Sequence, residues 1–115
     1  MNVVHAAPTD TVSEQLSVKR LTDELGATKL RVNVWTLAEG SMLRHTHREQ
    51  EELYVVLDGT MGMTVDGEMH KLGERDAVLV PAGAEHQASN MGRGPVTFVV
   101  AAAPNVTGDA EIHRE

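Results

Sequence analysis

Residues 45–59 read HTHREQEELYVVLDG. His45 and His47 are two positions apart, and in a β-strand such side chains point to the same side. Two imidazoles on one face are typical of half a metal site, although two exposed histidines at a polar strand end would give the same pattern. Glu52 opens an apolar run, where a carboxylate is costly to bury unless it is paired or bound to an ion. The alternative is that Glu51 and Glu52 mark a solvated strand edge.

A second informative stretch, residues 81–86, reads PAGAEH. Pro81 and Gly83 predict a tight corner, and His86 begins the next predicted strand. Taken alone, this histidine is equally compatible with a surface position beside a turn. Between the two stretches, residues 66–67 (Asp-Gly) predict a two-residue hairpin, because glycine accepts the positive φ that such turns need.

The rest of the chain reads as a series of short β-strands separated by glycine and proline. Strands are predicted at residues 30–36, 42–47, 53–57, 61–65, 68–72, 77–80 and 96–102. This spacing indicates an all-β, antiparallel sandwich or barrel. Its interior is expected to hold Val56, Met63, Val78 and Val80. Residues 17–25 fit neither the helical nor the strand period cleanly.

Length and composition indicate one globular domain. If it binds a metal ion, the ligand atoms are expected to be nitrogen and oxygen. The chain has 115 residues and no cysteine, so a disulfide framework and a thiolate metal site are both excluded. It carries 10 Lys+Arg against 17 Asp+Glu, a formal charge of −7. Nucleic acid and anionic membrane surfaces are therefore unexpected partners.

Two further sequence features bear on the location of the protein. No apolar run approaches the roughly 20 residues of a transmembrane helix. The first residues, MNVVHAAPTDTVSEQ, lack the basic start and long apolar stretch of a signal peptide. The expected location is the cytoplasm.

The two stretches together resemble the two sequence motifs of the cupin superfamily. The first appears as Gly40, His45-Thr46-His47, four residues, Glu52, six residues and Gly59, and the second as Pro81-Ala82-Gly83, His86 and Asn90. The resemblance covers residues 40–90 and implies a small jelly-roll barrel at 26–115. Two departures stand out: the spacing from Gly40 to His45 is one residue shorter than usual, and the glycine expected five residues before Pro81 is Arg75.

The resemblance implies a single metal centre. Its ligands would be His45, His47, Glu52 and His86, with Glu52 rather than Glu51 on the inner face. Three imidazoles and one carboxylate suit a divalent transition ion such as Fe, Mn, Ni, Co, Cu or Zn. Four protein ligands leave two neighbouring positions of a six-coordinate ion for water, a substrate or dioxygen.

The function expected from this resemblance is that of a metal-dependent enzyme acting on a small molecule. Oxygen-dependent, dioxygenase-like chemistry is the leading reaction. A cupin isomerase or lyase, a non-catalytic metal- and ligand-binding module, and a structural dimer with a vestigial site are the alternatives. Tyr54, His70 and Glu51 are the candidate catalytic side chains, and Trp35 is expected either in the pocket or at a subunit interface.

The sequence also predicts a homodimer. Open sheet edges need protection, and residues 1–25 have no obvious place in a minimal barrel. This N-terminal arm is expected to lie at the interface with a second copy.

Overall fold

The computed structural model describes residues 2–113, and the regular secondary structure of this range is almost entirely β-strand. In chain order its strands are β1 (Asp10–Thr11), β2 (Leu16–Arg20), β3 (Arg31–Leu37), β4 (His45–His47), β5 (Glu51–Asp58), β6 (Met61–Val65), β7 (Glu68–Leu72), β8 (Ala77–Val80), β9 (His86–Asn90), β10 (Val96–Ala103) and β11 (Ala110–Ile112). One short helix, α1 (Leu21–Leu25), follows β2. In the described range, no helix is long and apolar enough to cross a membrane.

The strands form two antiparallel sheets. The six-stranded sheet has the order β1-β2-β3-β10-β5-β8, and the five-stranded sheet has the order β11-β4-β9-β6-β7. This arrangement confirms the all-β, antiparallel jelly roll, but the two sheets are not closed into a barrel. Strands distant in sequence lie side by side, as where β10 pairs with both β3 and β5.

The hydrophobic core lies between the two sheets, on the face where alternate residues of each strand point inward. Phe98 in β10 is fully buried at its centre. Val56, Met63 and Val80 are buried as predicted, and Val78 is partly buried against the same cluster. The alternation along β10, where every second residue is buried, follows directly from the period of a strand.

Residues 16–26 are tied to the six-stranded sheet of their own chain. β2 pairs with β3, with Val18 opposite Trp35. The helix α1 then ends at Gly26, whose φ is +72°. The backbone N–H of Val32 in β3 donates to the Thr22 hydroxyl at 2.6 Å, which holds the helix against that strand.

The departure from the usual motif at Arg75 leaves the turn before β8 intact. Arg75 adopts φ +70°, the left-handed conformation that glycine would favour. The turn is held by hydrogen bonds from Arg75 N–H to the Val56 carbonyl at 2.8 Å and from Gly73 N–H to the Asp76 carboxylate at 2.8 Å. An arginine therefore occupies the position of the expected glycine without loss of the turn.

Asn90 has a structural role at the end of β9. Its side-chain amide donates to the carbonyls of Leu37 at 3.0 Å, Ala38 at 3.0 Å and Gly94 at 2.9 Å. Its side-chain oxygen accepts from the Gly92 N–H at 2.8 Å. One amide thus joins the end of β3 to the turn before β10, bridging the two sheets at this end.

Candidate metal centre

The predicted ligand residues come from three strands and both sheets. β4 carries His45 and His47 on one face, as expected for residues two apart. His45 lies directly opposite His86 of β9 in the five-stranded sheet. Glu52 projects from β5 of the six-stranded sheet toward them. The four side chains meet between the sheets.

The Glu52 carboxylate is the common contact of the three rings. Its Oε1 lies 2.7 Å from Nε2 of His86, 3.4 Å from Nε2 of His47 and 3.6 Å from Nε2 of His45. The ligand atoms of His45, His47 and Glu52 all lie within 4.8 Å of one another. These three residues form a group that can hold a metal ion, and the His86 ring faces the same carboxylate oxygen.

The rings are oriented through their second nitrogen. Nδ1 of His45 lies 3.0 Å from the Leu43 carbonyl, and Nδ1 of His86 lies 3.0 Å from the Ala84 carbonyl. A carbonyl oxygen only accepts, so these contacts favour a proton on Nδ1 of both rings. Nε2 then faces the centre, where it donates to Glu52 when the ring is protonated and offers a lone pair to a metal ion when the ring is neutral. This is the outer-sphere arrangement that commonly fixes metal-binding histidines.

Asp109 lies beside the third ring, whose Nδ1 makes no hydrogen bond of good geometry to a described residue. Its Oδ2 lies 3.4 Å from Nδ1 of His47 and accepts the Gln50 N–H at 2.9 Å, and Oδ1 accepts the Glu49 N–H at 3.0 Å. Hydrogen bonds from these backbone groups lower the pKa of Asp109, with His47 contributing. The sequence analysis missed this residue, since nothing local links it to the histidines.

The Glu52 carboxylate stays ionised although it is buried. Burial of Glu52 opposes ionisation, but hydrogen bonds from His45, His47 and His86 outweigh it and set the pKa of Glu52 well below its ordinary value. Burial alone would lower the pKa of His45, but its contacts with Glu52 and the Leu43 carbonyl raise it overall. An ionised carboxylate among imidazoles is the donor set expected for a divalent transition ion, so the residues fit such an ion.

Tyr54 closes the floor of the centre. It is buried, and its hydroxyl donates to Glu52 Oε1 at 3.1 Å. Burial, reinforced by the nearby Glu52 charge, raises the pKa of Tyr54 well above its ordinary value. The hydroxyl therefore stays protonated at neutral pH and acts as a hydrogen-bond donor.

The other two candidate side chains lie away from this centre. His70 is exposed on the edge strand β7, with Nε2 3.7 Å from Glu68 Oε1. Glu51 is exposed on the opposite face of β5 from Glu52 and borders a different depression, beside Pro104. Tyr54 is thus the one of the three that the fold brings to the ligands.

A cavity of about 670 Å³ opens above the ligands, within the range of small-molecule sites. Its walls are largely apolar and include Trp35. Polar side chains that the sequence analysis did not single out also line it: Arg31, Asn33, Gln50 and Asp109. Arg31, Asn33 and Trp35 are two residues apart and therefore share one face of β3. This spacing was the available signal, but the inward face of that strand was not identified.

Stability of the metal-free protein is expected to depend on pH through this cluster. The pKa of Glu52 is lower in the folded protein than its ordinary value of 4.5, so ionised Glu52 stabilises the fold at pH values above 4.5. This stabilisation is lost as the pH falls below that value. The pKa of His45 is higher in the folded protein than its ordinary value of 6.5, so protonated His45 stabilises the fold at pH values below 6.5. This stabilisation is lost as the pH rises through the pKa of His45 in the folded protein. Thermal unfolding with a chelator present should show a maximum in mildly acidic buffer.

Glu52→Gln provides the control for this pH dependence. It removes the titrating carboxylate and the partner that raises the pKa of His45. Thermal stability should therefore change less steeply with pH on both the acidic and the alkaline side of the maximum. An unchanged profile in Glu52→Gln would show that other groups govern it.

Asp109→Ala is expected to weaken metal binding by about 10- to 100-fold, because the carboxylate would hold the His47 ring once an ion is bound. Titration with Ni(II) or Zn(II) after chelation measures this change. Glu111→Ala is the matched control, since Glu111 is exposed on the following strand β11. Equal metal affinity of Asp109→Ala and the natural protein would exclude the orienting role.

Comparisons with known proteins point to one family. The family model described as "Cupin domain" matches residues 33–102. Mannose-1-phosphate guanylyltransferase of Klebsiella pneumoniae is 34% identical over 89 residues, which is 75% of this chain but 18% of that protein. An uncharacterised protein of Methanocaldococcus jannaschii is 31% identical over 62 residues, covering 54% of this chain and 50% of its own. The chain spans less than a fifth of the guanylyltransferase it matches.

Solved structures agree with the fold. The polyketide cyclase RemF from Streptomyces resistomycificus superposes with a TM-score of 0.81 at 22% identity, covering 100% of this chain and 87% of that chain. A structure described as a sugar phosphate isomerase from a cupin superfamily, from Silicibacter pomeroyi, gives a TM-score of 0.74 at 26% identity, covering 89% and 78%. The first similarity supports the fold alone.

Proposed function

This chain belongs to the cupin family, and we propose that it is a metal-dependent enzyme acting on a small organic molecule in the cavity above His45, His47, Glu52 and His86. The observation that carries the proposal is that these side chains converge and that three of them, His45, His47 and Glu52, line a cavity of about 670 Å³. We further propose that His86 is the fourth ligand, because its Nε2 lies 2.7 Å from the Glu52 oxygen.

Oxygen-dependent cleavage is the reaction that we propose. A redox-active divalent ion at these residues would supply Lewis acidity and electrons. The protein's own contribution is positional: the Leu43 and Ala84 carbonyls hold two rings, and the Asp109 carboxylate, 3.4 Å from Nδ1 of His47, would hold the third once an ion is bound. Tyr54 hydrogen-bonds Glu52 and fixes which carboxylate oxygen faces the rings.

The lining of the cavity supports chemistry centred on the metal. The described carboxylates that border it are Glu52 and Asp109, and both contact histidines of the centre. An isomerase or lyase normally needs a base within hydrogen-bond reach of its substrate. Because no separate base lines the cavity among residues 2–113, activation by the ion itself is favoured.

A second candidate function is isomerisation of a sugar phosphate. It is favoured by the 26% identity to the Silicibacter pomeroyi structure described as a sugar phosphate isomerase. In this case the ion would polarise a carbonyl, and a redox change would not be needed. A third candidate is a non-catalytic binding module, which would use the same metal centre and cavity to bind a small molecule without converting it.

Metal exchange separates these functions. The protein is stripped with a chelator and reloaded in turn with Fe(II), Mn(II), Ni(II), Cu(II) and Zn(II), and oxygen uptake is recorded across a panel of small hydroxy- and oxo-compounds and sugar phosphates. We expect oxygen uptake with at least one of the first four ions and none with zinc, which has no accessible second oxidation state. Glu51→Ala should retain the activity and Glu52→Ala should lose it.

Each other outcome identifies a different function. Turnover of a sugar phosphate with zinc and without oxygen would replace the proposal by the isomerase. Tight binding of a compound without turnover under any ion would replace it by the binding module.

We also propose a homodimer, with residues 1–25 at the interface. β1, which lies within this segment, is a free edge of the six-stranded sheet, and Val12, the residue that follows it, is exposed. Exposed sheet edges with apolar side chains favour association. Light scattering at micromolar concentration should give twice the chain mass of 12.5 kDa, and a monomer mass would contradict the proposal.

A further inference from the structure

Arg31 places one positive charge in the wall of the cavity. The chain has 10 Lys+Arg, yet Arg31 is the one lysine or arginine among the described residues that border the cavity. The formal charge of the whole chain is −7. A cation in this wall therefore stands out against both the apolar lining and the acidic surface.

The strand register places Arg31 on the same face as Glu52. Ala102 of β10 lies opposite Arg31 of β3 on one side and opposite Glu52 of β5 on the other. Directly opposed residues of antiparallel strands share a face, and the two strand spacings put the backbones of Arg31 and Glu52 about 10 Å apart. Because the intervening Ala102 is small, space remains between the guanidinium and the ligands.

The charge of Arg31 is not neutralised within the described range 2–113. Its Nη1 donates to the Val106 carbonyl at 3.4 Å, and no ion pair joins it to another described residue. Asp109 also borders the cavity, but its oxygens are occupied by the Glu49 and Gln50 N–H groups. The guanidinium thus keeps most of its donors for a ligand.

We propose that the substrate carries an oxyanion, a carboxylate or a phosphate, several bonds away from the oxygen that meets the metal centre, and that Arg31 binds this anion. The planar guanidinium suits bidentate binding of either group. Arg31 is then a substrate-binding residue that selects anionic over neutral molecules. This inference rests on the proposed function, since it places the substrate in the same cavity.

Two matched pairs of probes test the inference by calorimetry on the nickel-loaded protein. The first pair, 2-hydroxyglutarate and 2-hydroxypentanoate, differs in a distal carboxylate. The second pair, fructose 6-phosphate and fructose, differs in a phosphate. In at least one pair the member with the additional carboxylate or phosphate should bind at least about tenfold more tightly, as expected for hydrogen bonds to a charged group. The pair that shows the preference identifies the anion.

Variants assign the preference to Arg31. Arg31→Gln should abolish it with unchanged nickel content, Arg31→Lys should restore part of it, and Arg93→Gln, at an exposed loop position outside the cavity, should leave it intact. The inference is wrong if the natural protein shows no preference or binds neither anion, or if the preference survives in Arg31→Gln. These readings measure binding, so failure of the proposed reaction, which is read as oxygen uptake, remains separate.

Discussion

Replacing Glu52 with alanine is expected to lower metal affinity by more than about 100-fold. Outer-sphere partners of metal ligands are worth about 10- to 100-fold. Glu52 contacts all three rings and, in the proposed centre, would contribute an oxygen to the ion directly. Elemental analysis of the purified variant, followed by titration with Ni(II) or Zn(II), measures the loss. The variant also removes the partner of His86, so its fold should be checked by circular dichroism.

Glu51→Ala is the control for Glu52→Ala. It deletes the same functional group one residue earlier on β5, where the side chain is exposed, and metal affinity should be unchanged. Loss of metal from Glu51→Ala but not from Glu52→Ala would show that the register of β5 is wrong. A second variant, Glu52→Gln, keeps the size of the side chain and should also bind metal weakly.

Gly59→Ala is expected to reduce the free energy of unfolding by about 2–5 kcal/mol. Gly59 has φ +86°, and a Cβ there would lie 2.5 Å from the Pro95 carbonyl oxygen and 2.9 Å from the Val96 Cα. The left-handed conformation costs about 1–2 kcal/mol for a residue with a side chain, and overpacking against backbone adds about 1–3 kcal/mol. Such a loss is a large part of the 5–15 kcal/mol typical of a small domain.

Gly67→Ala separates the two contributions. Gly67 has a similar φ of +82°, but no atom lies within 4 Å of an added Cβ. Only the conformational cost of about 1–2 kcal/mol is then expected. Chemical denaturation of both variants gives the comparison, and equal losses would mean that the Pro95 backbone moves aside without cost.

Much of the fold could be predicted from sequence because its signals are local. Alternation of apolar residues and the Asp66-Gly67 turn predict strands and a hairpin without knowledge of the partner strands. The burial of Val56, Met63 and Val80 follows from the same alternation. Residues 17–25 were unpredictable because a five-residue strand and a five-residue helix follow each other directly, and neither is long enough to show its period.

The ligand positions were also within reach of the sequence. His45 and His47 share a face by the geometry of a strand. Because successive residues of β5 point to opposite faces, Glu52 points inward and Glu51 outward. The spacing of the two motifs then identified the family and indicated the residues that are proposed as metal ligands. By contrast, the role of Asn90 and the left-handed Arg75 needed coordinates, because both depend on backbone groups from other strands.

The sequence by itself determined the all-β fold, the family and the residues that form the centre, since these follow from short-range periodicity and spacing. Only the tertiary structure decided what surrounds them. Asp109 reaches His47 because β11 pairs with β4, and Arg31 shares a face with Glu52 because β10 lies between β3 and β5. Pairing between distant strands depends on the packing of the whole core, and no local pattern specifies it.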